Sequence, residues 1–183
     1  WGTIDNEPFF FLVSHWPSRL GGKEASAPKR LAAAKQVKHI VDSVTAANPA
    51  TKVVIMGDLN DDATDDSIVE GLNAKGKIKE VGKGDMFNPF ISLLKAGYGT
   101  LAYRDEWNLA TGSTGSLKIQ PVGNSKFYGG IFRRPYMIQK EGQYKGYPLR
   151  TFVGNDFQGG FSDHFPVYIY ICLLYTSDAA DDR

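Results

Sequence analysis

Three short polar strings carry residue types suited to proton and phosphate chemistry. They are Ser14-His15-Trp16-Pro17-Ser18-Arg19, Gly57-Asp58-Leu59-Asn60-Asp61 and Ser162-Asp163-His164. Asp58 and Asn60 are two apart, so an extended backbone points both side chains the same way. A carboxylate beside an amide can position a water and bind a hard cation, and Asp163 adds a second carboxylate. Such oxygen donors suit Mg²⁺, Mn²⁺ or Ca²⁺ rather than zinc. His15 and His164 can move protons near neutral pH. A cation to neutralise charge, a group to activate water and a group to assist the leaving oxygen form the set needed to hydrolyse a phosphoester. Each string alone is a weak signal. Gly-Asp-Leu-Asn is commonly a turn after a strand, and Ser-Asp-His commonly an N-cap or local turn. The inference rests on three pieces sharing one chemistry. His39 lies within a helical pattern and reads as a solvated residue with no role.

The elements that must position these strings follow from hydrophobic spacing. Ile4 and Phe9 to Val13 flank the turn cluster Asp5-Asn6-Glu7-Pro8, which reads as a β-hairpin ending near Ser14. Leu31, Ala34, Val37, Val41 and Val44 recur at helical spacing, with Arg30, Lys35, Lys38 and Asp42 off that stripe. A helix over Pro28 to Ala47 is expected, stopped by Asn48-Pro49. Lys52 to Met56 reads as a buried strand feeding Gly57 to Asn60. Short helices are expected over Ser67 to Ala74 and Pro89 to Ala96, the second stopped by Gly97. Leu117 to Val122 and Phe165 to Ile171 read as strands. No repeat or linker divides the chain, so the pattern is that of a layered α+β or α/β domain. Clusters at strand ends in such a domain can converge on one rim.

Composition sets wider bounds. The chain has 183 residues, 42% hydrophobic and 22% charged, enough for one domain with a core. The formal net charge of +1 does not mark a nucleic-acid binder by bulk electrostatics. One cysteine, Cys172, rules out an internal disulfide framework. No apolar run reaches the length of a membrane span.

Other residues could serve a phosphate site. Ser18, Arg19, Lys145 and Arg150 are candidate phosphate contacts, Arg through its planar fork. Trp16, Tyr144 and Tyr147 could stack on a ring, with packing the favoured reading. Asp61, Asp62, Asp65 and Asp66 read as a solvated loop and helix start.

Taken together, His15, Gly57-Asp58-Leu59-Asn60 and Ser162-Asp163-His164-Phe165-Pro166-Val167 resemble the later motifs of the endonuclease/exonuclease/phosphatase superfamily, in the right order. That group includes deoxyribonucleases, apurinic endonucleases, inositol polyphosphate phosphatases and bacterial sphingomyelinases. His-Trp-Pro-Ser-Arg-Leu-Gly-Gly, Tyr-Arg-Asp-Glu-Trp-Asn and Tyr-Lys-Gly-Tyr-Pro-Leu-Arg-Thr-Phe resemble a bacterial branch of it. The resemblance implies an α/β fold, a four-layer sandwich of two packed mixed sheets flanked by helices. It implies that His164 activates or orients the attacking water or contacts the phosphate, and that Asp163 is a metal ligand. Asp58 and Asn60 would position the nucleophile and scissile phosphate, and His15 would assist the leaving group. The implied cofactor is Mg²⁺, with Mn²⁺ or Ca²⁺ as substitutes.

The sequence also departs from the family pattern. The superfamily's early Asn and its metal-binding Glu have no counterpart here, and Glu7 sits in a turn. The carboxylate that usually orients the final histidine is replaced by the Ala110-Thr111-Gly112-Ser113 stretch. The chain opens at Trp1 and reads as N-terminally truncated. Residues 172–182 resemble the translation of a sequencing adaptor and read as a non-native tail. The domain is therefore taken as 1–171 and the tail as 172–183. The expected parent is a metal-dependent phosphoester hydrolase, a nuclease or a phosphodiesterase/phosphatase. The alternative is a non-catalytic binding module with a degraded site. The 183-residue chain itself is expected to be inactive and monomeric. Nucleic acid, phospholipid and small phosphoesters stay open as substrates, and the compartment stays open.

Overall fold

The structure, a computed structural model, describes residues 1–100, 110–112 and 118–172. Strand β1 (Gly2–Ile4) pairs antiparallel with β2 (Glu7–His15) across a turn in which Asp5 and Asn6 adopt positive φ. Helix α1 (Lys23–Ala47) then crosses over to β3 (Lys52–Asp58), which lies parallel to β2. The register runs from Phe9 opposite Lys52 to His15 opposite Asp58, so two of the polar strings meet at one sheet end.

Shorter elements follow. They are β4 (Ala74–Lys75), β5 (Met86–Phe87), helix α2 (Phe90–Lys95), β6 (Ala110–Gly112), β7 (Lys118–Gln120) and β8 (Gly129–Ile131). Strands β9 (Phe152–Val153), β10 (Asp156–Phe157) and β11 (Val167–Cys172) close the described chain. One sheet has the order β1-β2-β3-β6-β5-β4, a second has β7-β11-β8, and β9 and β10 form a separate hairpin.

Alternation along the central strands builds two cores. Val53 and Ile55 face α1, where Ala34, Val37 and Val41 meet them together with Leu59, Ile68 and Leu72. Phe9 and Val54 face the other way, toward Phe90, Ile91 and Leu93 and toward Val167, Ile169 and Ile171 of the second sheet. The described residues thus form helix, sheet and sheet layers, the mixed α/β class expected from the sequence. Each fully buried side chain of this size adds roughly 1.5–3 kcal/mol relative to exposure.

Two boundaries and one buried face differ from the sequence expectation. Helix α1 starts at Lys23, not Pro28, and holds Pro28 inside. A proline there removes one i→i−4 bond, but the first turn has other ties. Arg30 donates to the Lys23 carbonyl at 2.9 Å and to Ser26 Oγ at 2.6 Å. Arg30, read as off the apolar stripe, has a side chain with 0% exposure, while Leu31 is only half-buried. The helix expected over Ser67 to Ala74 is a single π-type turn, Ser67–Gly71, ended by Asn73 at φ 54.

Candidate functional site

The Gly57 to Asn60 turn is shaped by its own sequence. Gly57 has φ 134, and a Cβ there would lie 1.9 Å from the Ser14 carbonyl oxygen, so only glycine lets β3 pass this close to β2. Asn60 is left-handed at φ 54, a conformation Asn tolerates better than most residues. Its backbone N–H donates to Asp58 Oδ1 at 2.9 Å, and its side-chain Nδ2 donates to the Trp16 carbonyl at 2.9 Å. One oxygen of Asp58 is thereby fixed and the other is turned outward.

That second oxygen, Asp58 Oδ2, lies 3.6 Å from His15 Nε2 and 3.7 Å from His164 Nε2. His15 arrives from the end of β2 and its side chain is 73% exposed. His164 arrives from the segment entering β11 and is buried. Its other ring nitrogen, Nδ1, lies 3.5 Å from Thr100 Oγ1. Thr100 is itself buried, and its carbonyl accepts the Phe165 N–H at 3.2 Å. Burial holds the His164 imidazole below its ordinary pKa of 6.5, while Asp163 and Asp58 pull it back up and Arg150 pushes it down. Near pH 7 His164 is therefore neutral and able to accept a proton.

The remaining predicted residues fall around this centre. Asp163 and Arg150 are exposed and within electrostatic reach of His164. Ser18 is exposed on the loop after β2, where its Oγ accepts the Leu20 N–H at 3.4 Å. Lys145 lies in an exposed turn in which its N–H bonds the Gly142 carbonyl, and among the described residues no contact links it to the histidines. Arg19 turns inward, with its Nε donating to the Asn60 carbonyl at 2.9 Å. Trp16 is buried in the core, while Tyr144 is exposed and packs edge-on to Tyr147. Thr100 is a residue that the motif strings gave no means of finding, because 64 positions separate it from His164.

The acidic run after Asn60 is the main correction to the sequence reading. Asp61 is buried, 2.6 Å from Arg30 Nε and 2.6 Å from the Ser67 hydroxyl. Asp62 and Asp65 both bond Lys23, at 2.7 and 2.8 Å. Burial opposes the charge on Lys23, but Asp62 and Asp65 hold its ammonium above the usual value. Three cations from the β2–α1 loop and α1 neutralise three carboxylates, which lets the loop pack instead of dissolving into solvent.

The Ala110 to Gly112 stretch pairs with β3, Ile55 opposite Ala110 and Val53 opposite Gly112, so its backbone keeps a strand. Residues 101–109 and 113–117, which include Trp107 and Asn108, lie outside the described residues, as does the tail from 173. As for a cation, the described residues contain no group of three His, Cys, Asp or Glu side chains arranged to hold one.

A parallel β-strand pair with a helical crossover thus ends in a Gly-Asp-Leu-Asn turn, with a histidine on either side of its carboxylate. The family model described as Endonuclease/Exonuclease/phosphatase family matches residues 1–172, and the chain belongs to that family. Among solved structures it is similar to beta toxin 275-280 from Staphylococcus aureus, at 16% identity and a TM-score of 0.50. That match covers 92% of this chain and 54% of the other. It is also matched to SmcL, at 19% identity and a TM-score of 0.42, covering 90% of this chain and 54% of the other. The chain thus spans about half the length of the structures it matches. No curated protein matches it.

Proposed function

We propose that the chain carries the catalytic histidines of a phosphoester hydrolase, which cleaves a P–O bond by attack of water on phosphorus. The observation that carries this reading is Asp58 Oδ2 shared between His15 and His164 at 3.6 and 3.7 Å. Neutral His164 accepts the proton of the attacking water as the new P–O bond forms. His15, open to solvent, delivers a proton to the departing oxygen as the old P–O bond breaks. Asp58 stabilises whichever imidazole is charged, and Arg150 and Ser18 meet the phosphate oxygens. The family resemblance implies Mg²⁺, with Asp163 as a ligand. Among the described residues no three His, Cys, Asp or Glu side chains are grouped to hold an ion, so Asp58 and Asp163 do not form a carboxylate-and-histidine cage for one.

The test is hydrolysis of a chromogenic phosphodiester by the wild type, His164→Ala and Asp163→Ala. Loss of an acid–base group costs about 10²–10⁴-fold. Near-wild-type turnover by His164→Ala refutes the role given to that imidazole. Absence of turnover by this 183-residue wild type is the expectation under both readings and does not by itself favour the binding-module alternative.

Within this reading, one feature favours a phosphoester held at a lipid–water interface. Strands β9 and β10 expose Phe152, Val153 and Phe157, with Phe161 and Tyr136 exposed beside them. The hairpin runs straight into Ser162-Asp163-His164, and Arg150 at its base is also exposed. Clustered exposed aromatics next to a site mark an interaction surface, and aromatic side chains suit the membrane interface. Among the described residues no helix is long and apolar enough to cross a membrane. Flotation with phosphatidylcholine vesicles checks the idea, and unchanged flotation of Phe157→Ser would remove its support.

A further inference from the structure

Arg19 has the side chain of a phosphate contact, yet its guanidinium is spent inside the protein. Nε donates to the Asn60 carbonyl at 2.9 Å. Nη2 lies 3.3 Å from Asp62, 3.5 Å from Asp65 and 3.9 Å from Asp61. Only 20% of the side chain is exposed. Asn60, the residue it grips, is left-handed, a conformation non-glycine residues adopt at a cost. On the other side of its Cα, the backbone N–H of Asn60 donates to Asp58 Oδ1, which leaves Oδ2 for the two imidazoles.

We propose that Arg19 is a positioning residue, which holds the left-handed Asn60 backbone from its carbonyl side and, through the Asn60 N–H on the other side of that Cα, keeps the Asp58 carboxylate between His15 and His164. This rests on the reading of Asp58 as part of the site. The linkage runs through three contacts in series. The Arg19 Nε–H binds the Asn60 carbonyl, the Asn60 N–H binds one oxygen of Asp58, and the other oxygen faces the histidines. An arginine is required because its Nε and Nη donors point in fixed, different directions. One donor meets a backbone carbonyl while another meets carboxylates. A lysine at the same place offers a single charged point and serves the carboxylates alone. Arg19 is kept in place by neighbours that share its partners, Lys23 on Asp62 and Asp65 and Arg30 on Asp61. The acidic run is thus the anchor of the turn, and the site's carboxylate is its free end.

The experiment compares Arg19→Lys and Arg19→Gln with the wild type in the 183-residue chain. Amide hydrogen exchange is followed by NMR at Asn60, with Val54 and Ile55 in the central strand as controls. Inorganic phosphate is titrated into each protein. Where the wild type hydrolyses a chromogenic phosphodiester, kcat and KM are measured as well. The Asn60 amide should exchange about tenfold faster in both variants, as expected for loss of one supported hydrogen bond, with the controls unchanged. Phosphate affinity and KM should stay within about twofold, while kcat falls about 10- to 100-fold from misplacement alone. Unchanged Asn60 exchange in both variants overturns the proposal. So does weakened phosphate binding with Asn60 undisturbed, which would make Arg19 a substrate contact. Should Arg19→Gln unfold, Arg19→Lys decides, since it keeps a charge among the carboxylates. A wild type without turnover is the expectation for this 183-residue chain, and the exchange and phosphate arms then decide the role of Arg19.

Discussion

Two groups of charged residues share the same turn, and they behave differently. At Asp58 a carboxylate faces two titratable imidazoles at 3.6 and 3.7 Å, with solvent on one side. A few residues on, Asp61, Asp62 and Asp65 face Arg30, Arg19 and Lys23, permanent cations, largely out of solvent. The residue type is the same. What differs is whether the partner can give up its charge. A carboxylate held by arginine is a structural fixture, and one held by histidine can follow a proton through a reaction. The contrast explains how an acidic run beside a site can be mostly scaffold.

The largest effect that would break this contrast is at Asp58. Asp58→Ala should cut turnover about 10²–10⁴-fold, as for loss of an acid–base partner, while urea unfolding midpoints shift little. A loss of stability without a selective loss of rate would put Asp58 with the structural group. The reverse is expected at the buried pair. Arg30→Met leaves the Asp61 carboxylate buried without its closest cation, which typically costs about 3–5 kcal/mol of stability. Urea denaturation measures it, and replacing both partners by apolar residues should restore most of the loss.

Proton linkage offers a finer test. Burial depresses the pKa of His164 in the folded protein below its unfolded value. Between the folded and unfolded values the unfolded chain binds more protons, so stability rises with pH there. Stability present above about pH 6.5 should therefore be lost as pH falls through the folded pKa, and His164→Gln should flatten that slope. A slope unchanged by the substitution would place the pH dependence elsewhere.

The smallest effect concerns Thr100. If its hydroxyl orients the His164 ring, Thr100→Val should lower turnover about fivefold, the size of one net hydrogen bond, with little change in unfolding. An unchanged rate would show that packing alone holds the ring. A separate measurement concerns the cation: calorimetry should find weak Mg²⁺ binding to this chain, since among the described residues no three His, Cys, Asp or Glu side chains are grouped to hold it.

What the sequence determined by itself is local. Short continuous apolar runs bounded by turn residues placed β2 and β3, and helical spacing placed α1, because such patterns follow from local backbone geometry alone. The motif strings singled out His15, Asp58 and His164, since those residue types carry their chemistry wherever they stand. Partner choice was decided only by the tertiary structure. Nothing in the spacing says that Arg19 reaches back to Asn60 across 41 positions, or that Arg30 on α1 takes Asp61 out of solvent. The early start of α1 and the burial of its arginine have the same origin. Ion pairs between segments distant in sequence are priced by burial and by the direction of approach, quantities that exist only once the helix lies on the sheet.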